Sequence, residues 1–319
     1  MKRFILIFAL LLSFTGLQAQ LPFHIQGGIN WPSESFLLDT FSGAYAAFDY
    51  HKLREDQSKC FNIRRNITAE TADVHFNGAG RITLDSLVDN FSGSSTASNL
   101  GEFLASATYT DVDSLGSPAD GFVAVWYDQT TNGNDAPMVT QSVQPQIASA
   151  GVILVDGDGN VAQTHSGDSL ALPELNASAA DYTMVTVTDT TTPSSANHII
   201  RASDISFIHQ LNNASLGSYY DGTVYLGTNL TATGTTLSGW LMNYVDGTSN
   251  DTMTTYQDGS IVDNAISVTN GIAAFTASSI GRGVAGLDPE FISSIVIFDS
   301  VSLDIDGVNA NINARYSIY

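Results

Sequence analysis

Apolar residues in this sequence come in short runs, often alternating with Thr, Ser or Asn, and the runs are closed by Asp-Gly or Asn-Gly pairs. A period of two puts successive side chains on opposite faces of a strand, so the pattern dictates β structure with many turns. Tyr182 to Thr188 sets Thr183, Val185 and Val187 on one face and Tyr182, Met184, Thr186 and Thr188 on the other. Tyr219 to Leu226 turns at Asp221-Gly222, and Met253 to Val262 turns at Asp258-Gly259. Both pairs tolerate the positive φ angles that two-residue hairpin turns require. Phe291 to Phe298 is apolar on both faces except at Ser293 and Ser294, as a strand covered on both sides would be.

Helical signals are few. Leu84, Leu87, Val88, Phe91, Leu100, Phe103 and Leu104, broken by Gly93-Ser94-Ser95, predict one or two short helices between Leu84 and Ala107. Ile305, Val308, Ile312 and Tyr316, behind Asp304 or Ser302 as N-cap, predict a C-terminal helix with one buried stripe. The fold class is therefore all-β, with a few short helices. No repeat or low-complexity linker divides the chain, and one domain is the economical reading of residues 20–319.

Residues 1–19 carry Lys2-Arg3, an apolar run from Phe4 to Leu12 that continues to Leu17, and the small-residue pattern Leu17-Gln18-Ala19. These features predict a secretory signal peptide cleaved near Gln20, and hence a secreted, periplasmic or cell-surface location. No later run is long enough to span a bilayer, so the mature chain is not expected to insert into a membrane. Cys60 is the one cysteine, which leaves no intramolecular disulfide. The net charge is −21, although only 13% of residues are charged. Such a surface repels nucleic acid and anionic lipid, leaving neutral glycans and divalent cations as partners; the same charge also serves plain solubility.

The run Phe122 to Tyr127 stops at Asp128-Gln129 and opens into Asn132-Gly133-Asn134-Asp135, a strand feeding a loop of carboxylates and amides. Alternation sends Trp126 and Tyr127 to opposite faces, so one of them is free for a groove. Tyr127 and Tyr220, with Asp128, Asn132, Asn134 and Asp135, are the candidate glycan contacts. Arg64 and Arg65 alternate likewise, one of them suited to a buried ion pair. Asp156-Gly157-Asp158-Gly159-Asn160 has the opening of a calcium loop, but its twelfth position is Gly167 rather than a bidentate Glu, so a hairpin turn is preferred. Calcium is the one cofactor left open, with Asp128, Asp135 and Asp158 as the groups to inspect. The six histidines show no metal-ligand spacing.

In order along the chain stand Ser42-Gly43-Ala44-Tyr45-Ala46-Ala47-Phe48, Lys52-Leu53-Arg54, Phe61-Asn62-Ile63-Arg64-Arg65, Trp126-Tyr127-Asp128-Gln129, Asn132-Gly133-Asn134-Asp135 and Gln144-Pro145-Gln146-Ile147. From about Leu38 to Leu154 this series resembles the N-terminal half of the α-L-arabinofuranosidase B catalytic domain, and also non-catalytic concanavalin A-like proteins of bacteria and their phages. Tyr256-Gln257-Asp258-Gly259, Ile280-Gly281-Arg282 and Phe291 to Phe298 resemble laminin-G-like domains more loosely. The resemblance implies an antiparallel β-sandwich, a concanavalin A-like jelly roll, here with an N-terminal arm. It also implies a retaining mechanism, in which a Glu in the middle of the second half attacks the anomeric carbon and an Asp before the final strand protonates the leaving oxygen.

Asp288 in Gly286-Leu287-Asp288-Pro289-Glu290 matches the acid. The attacking Glu has no counterpart, because no Glu lies between Glu174 and Glu290, and Leu211-Asn212-Asn213-Ala214-Ser215 offers amides and a hydroxyl. Neither Asp204 nor Asp221 is singled out as a substitute, and the family's cysteines are missing. The expectation is an exported, non-catalytic module binding a neutral polysaccharide or cell-surface glycan, or serving in adhesion. The alternatives are a retaining arabinofuranosidase using Asp288, and a phage virion protein, against which the leader argues.

Overall fold

The computed structural model describes residues 36–105, 118–165, 167–172, 181–190, 197–202, 207–212, 215–220, 225–226, 230–231, 234–245, 250–268, 277–281, 291–300 and 303–319, all within the unit Phe36–Tyr319. The signal peptide, the arm, Asp204, the Asp221-Gly222 turn and Asp288 lie outside these residues. The strands form an antiparallel sandwich of two sheets, the larger with 14 strands and the smaller with 7.

At the centre of the larger sheet, Phe291–Phe298 pairs with Ala44–Asp49 and with Tyr182–Thr190, and Tyr182–Thr190 pairs in turn with Gly234–Asn243. One wing continues to Thr252–Gln257 and Ser260–Ser267. The other runs through Gln163–Thr164, Gln146–Ser149, Gly121–Trp126, Lys59–Arg65 and Thr71–His75 to Val88–Asp89. The smaller sheet runs from Leu170–Ala171 through Ala277–Ile280, Asn197–Ala202, Phe207–Asn212 and Ser215–Tyr220 to Tyr225–Leu226.

Alternation along the central strands sets the layers. Tyr182, Met184, Trp240, Met242, Ile295 and Ile297 pack toward Leu170, Leu172, Ile199, Ile200 and Ile280 of the smaller sheet. The opposite parity, Val185, Val187, Leu237, Val296 and Phe298, packs against Ile305, Val308, Ile312 and Tyr316 of the helix Ile305–Tyr316. Phe291–Phe298 is thus apolar on both faces because each face has a layer over it. Asp304 caps the helix, its Oδ1 accepting from the Gly307 N–H at 3.0 Å, and Ser317 ends it at φ 55°. In the Asp258-Gly259 turn both residues take positive φ, 49° and 76°, joining strands paired at Gln257 and Ser260.

Of the one or two short helices expected between Leu84 and Ala107, one is present. The first half of the 84–107 segment is not helical: Leu84 and Leu87 are 40% and 64% exposed, and Val88–Asp89 instead extends the sheet edge along Thr71–His75. Only Leu100–Ala105 forms a helix, burying Leu100, Phe103 and Leu104. The Leu84-Leu87-Val88-Phe91 spacing fits a helix, yet pairing Val88 with Val74 uses the backbone donors and acceptors of an otherwise open edge. Residues 156–160 form the preferred turn, with Val155 bridging Val161 and Asp156 Oδ1 accepting from the N–H groups of Asp158 and Asn160.

The helix is tied down by one buried polar contact. The Tyr316 hydroxyl donates to Asp49 Oδ1 at 2.7 Å and lies 3.0 Å from the Ser293 carbonyl, and Asp49 is fully buried. Tyr316→Phe is expected to cost about 1–3 kcal/mol, because it strips a donor from a buried carboxylate. Urea unfolding measures the loss, and an unchanged midpoint would show that the contact holds nothing.

Candidate functional site

Among the described residues Ala44–Asp49 has one strand partner, Phe291–Phe298, along one edge. Along the other edge lies the loop that follows Gly121–Trp126, and its side chains take the places that a neighbouring strand's backbone would occupy. Asp128 Oδ1 accepts from the N–H of Ala47 at 2.9 Å and of Thr130 at 3.0 Å, while Oδ2 accepts from the Asn134 N–H at 2.9 Å and from the Thr130 hydroxyl. The Gln129 N–H donates to the Ala47 carbonyl at 2.8 Å, and its side chain donates to the carbonyls of Asp49 and His51 at 2.8 and 3.0 Å. Gln129 Oε1 accepts from the Leu53 N–H at 2.7 Å. Asn132 donates to the Ala44 and Tyr45 carbonyls, and Asn134 to the Tyr45 carbonyl at 2.8 Å.

The predicted contacts Asp128, Asn132 and Asn134 therefore hold the scaffold together. Asp128 is 5% exposed and Gln129 fully buried, whereas Asn132 stays exposed and the side-chain oxygens of both asparagines take no part in the latch. Asp135 accepts from the Asp128 N–H at 2.9 Å and is half-buried. Its carboxyl is pushed above the usual range, first by burial and then by the charges of Asp128 and Asp73.

Trp126 and Tyr127 do face opposite ways. Trp126 is fully buried and stacks on Tyr50 with ring centroids 4.9 Å apart. Tyr127 is half-buried, its hydroxyl on Asp73 Oδ1 and its ring 5.7 Å from Lys59 Nζ. Asp73 is fully buried and also accepts from Lys59 Nζ at 2.6 Å, Asn62 Nδ2 at 2.8 Å and Asn90 Nδ2 at 3.1 Å. Burial alone would raise its pKa, but Lys59, Tyr127, Asn62 and Asn90 outweigh that and hold it below the usual range. Burial and Asp73 push the Tyr127 phenol well up, so it acts as a hydrogen-bond donor at neutral pH. With four donors on its two oxygens, Asp73 has no lone pair directed at a sugar carbon and orders the surface instead.

The structure thus joins Tyr127 and Asp135 to Lys59, Asn62, Asp73 and Asn90, none of which the sequence pattern had marked. The signal was available in one place: Asp73 interrupts an apolar strand, and its cross-strand neighbour is Asn62. Tyr220 belongs to the smaller sheet, and its side chain lies outside the described residues. Among the described residues no three His, Cys, Asp or Glu side chains are arranged to hold a metal.

A second polar feature sits where the chain passes between the sheets. His165, after Gln163–Thr164, is buried, and burial pushes its pKa down to about 4; its Nδ1 lies 3.2 Å from the Asp168 carbonyl. Asp168, before Leu170–Ala171, is half-buried, and burial pushes its carboxyl up to about 6. Gly281 packs against the His165 ring so closely that a side chain there would overlap it.

No family model and no curated protein matches the chain. Solved structures do. An arabinofuranosidase complexed with arabinofuranosyl-α-1,2-xylobiose aligns over 88% of this chain and 64% of its own, with 13% identity and a TM-score of 0.54. A glutamate-to-glutamine mutant of a family 54 α-L-arabinofuranosidase, soaked with 4-nitrophenyl α-L-arabinofuranoside, aligns over 86% and 63% with 13% identity and a TM-score of 0.50. This chain spans less than two thirds of either neighbour. At such identity the likeness is one of fold, and it agrees with the sandwich implied by the N-terminal motifs.

The depressed Asp73 carboxyl contributes stability that is present above its unfolded pKa of about 3.9 and lost as pH falls through the folded value. Lys59→Met removes the cation that helps hold it down. The acid-unfolding midpoint, followed by circular dichroism, is expected to move to higher pH; an unmoved midpoint would mean that Lys59 does not support the cluster.

Proposed function

We propose that this is an exported sandwich that binds a neutral glycan without cleaving it, through Tyr127 and the rim formed by Asp135, Lys59 and the exposed Asn132. The observation carrying the non-catalytic half is the stretch between Glu174 and Glu290, which has no Glu where the resembled hydrolases place their attacking carboxylate. An amide at that position forms no glycosyl ester. Support for the binding half comes from the fold shared with proteins solved in complex with arabinose-containing ligands, and from a half-buried tyrosine fixed in orientation by Asp73. A ring held in one rotamer loses little entropy on stacking against a sugar. The leader and the low share of basic residues favour export and an uncharged partner.

One observation favours a second reading, a retaining arabinofuranosidase. Asp168 keeps its proton to about pH 6, as a glycosidase's general acid must, and Gly281, packed on the ring of His165 whose Nδ1 lies 3.2 Å from the Asp168 carbonyl, precedes in sequence the stretch containing Asp288. The two readings separate in one set of assays. The mature protein is expected to be retained on at least one of arabinan, arabinoxylan or galactan, about three- to tenfold more weakly after Tyr127→Ala. It is expected to release no nitrophenol from 4-nitrophenyl α-L-arabinofuranoside. Turnover that Asp168→Asn or Asp288→Asn abolishes would replace the first reading with the second, and neither retention nor turnover would end both.

A further inference from the structure

Arg64 and Arg65 are neighbours on Lys59–Arg65, both more than nine-tenths buried, and their charges are handled differently. Arg65 points to the core side, over the Phe103 ring, and pairs with Glu70. Arg64 points the other way. Its guanidinium lies 4.7 Å from the Phe122 ring centroid, Nε donates to Gln144 Oε1 at 2.5 Å, and Nη2 donates to the Gln141 carbonyl at 3.1 Å.

None of the ion pairs among the described residues includes Arg64. Burial pushes its pKa down with no carboxylate to offset the effect. A buried cation with no ion pair to an acid among the described residues must be held by its hydrogen bonds and by the ring beneath it. Among the described residues Nη1 has no hydrogen-bond partner, yet it is not among the polar atoms sealed from water. Two of the five N–H donors are used, and those that remain include both on Nη1.

We propose that Arg64, with Gln144 and Phe122, forms a binding site for the carboxylate of an acidic sugar, on the sheet face that Asn62 shares two residues earlier on the same strand; the proposal does not rest on the neutral-glycan reading. The Phe122 ring fixes the guanidinium plane, and a planar fork matches a carboxylate through two parallel hydrogen bonds. The acidity of the whole chain does not forbid this. Charges more than about 8 Å away are largely screened at physiological ionic strength, so contact with Arg64 dominates.

The test is a titration of the ¹⁵N-labelled mature protein with sodium glucuronate, with glucose and sodium chloride as controls, following the arginine Nε–Hε peak that Arg64→Lys removes. The proposal requires that peak to shift saturably with millimolar glucuronate and to stay in place with both controls. By calorimetry, Arg64→Lys should weaken glucuronate binding at least tenfold and Arg64→Gln should abolish it. No shift in the wild-type protein, an equal shift with glucose or salt, or undiminished affinity in folded Arg64→Lys would overturn it. The wild-type titration decides even if the Gln variant fails to fold.

Discussion

The edge of Ala44–Asp49 that faces away from Phe291–Phe298 is closed by side chains. Asp128 and Gln129 present carboxylate and amide groups in the positions of strand backbone, and Asn132 and Asn134 add donors to the carbonyls of Ala44 and Tyr45. Open sheet edges leave rows of unpaired groups that attract other strands, and buried polar groups left unpaired cost more than the bonds themselves return. This latch joins the 44–53 segment to the wing containing Gly121–Trp126. Trp126, stacked on Tyr50, packs beneath it, and Tyr127 emerges on the other face.

That arrangement explains why loop composition was a partial guide to the site. A run of Asp, Gln and Asn after an apolar strand reads as a surface loop offering polar groups, and a surface loop it is. Which atoms face inward depends on a strand about 80 residues away, as the Ala47 to Asp128 bond illustrates with its separation of 81. Local pattern carries no such information. Asp73 was overlooked for the same reason, since its meaning depends on Lys59, Asn62 and Tyr127 arriving from other strands. Features decided within a few residues were legible: the Asp258-Gly259 turn, the Asp304 cap, the two-faced burial of Phe291–Phe298, and the hairpin at Asp156. Between Leu84 and Ala107 one helix formed, because a free sheet edge outweighed the helical spacing of the first half.

Fold and chemistry separate in this molecule. The scaffold is shared with arabinofuranosidases, but fold alone does not transmit an activity, and the groups that matter are local. Asp73 is saturated by donors and organises Tyr127, Asp168 holds a proton at higher pH than an exposed carboxyl, and Arg64 is in none of the ion pairs among the described residues. These are distinct ways of holding a charge in low dielectric: pairing it, neutralising it, or leaving it to aromatic, amide and carbonyl neighbours.

Native-state hydrogen exchange tests the latch most directly. The Ala47 and Leu53 amides donate to Asp128 and Gln129 side chains, so both should be protected in the wild-type protein. Gln129→Ala should make Leu53 exchange at least tenfold faster while the amides of Phe291–Phe298 keep their protection. Equal protection of Leu53 in both proteins would contradict the account, because the side chain would then not be closing that edge.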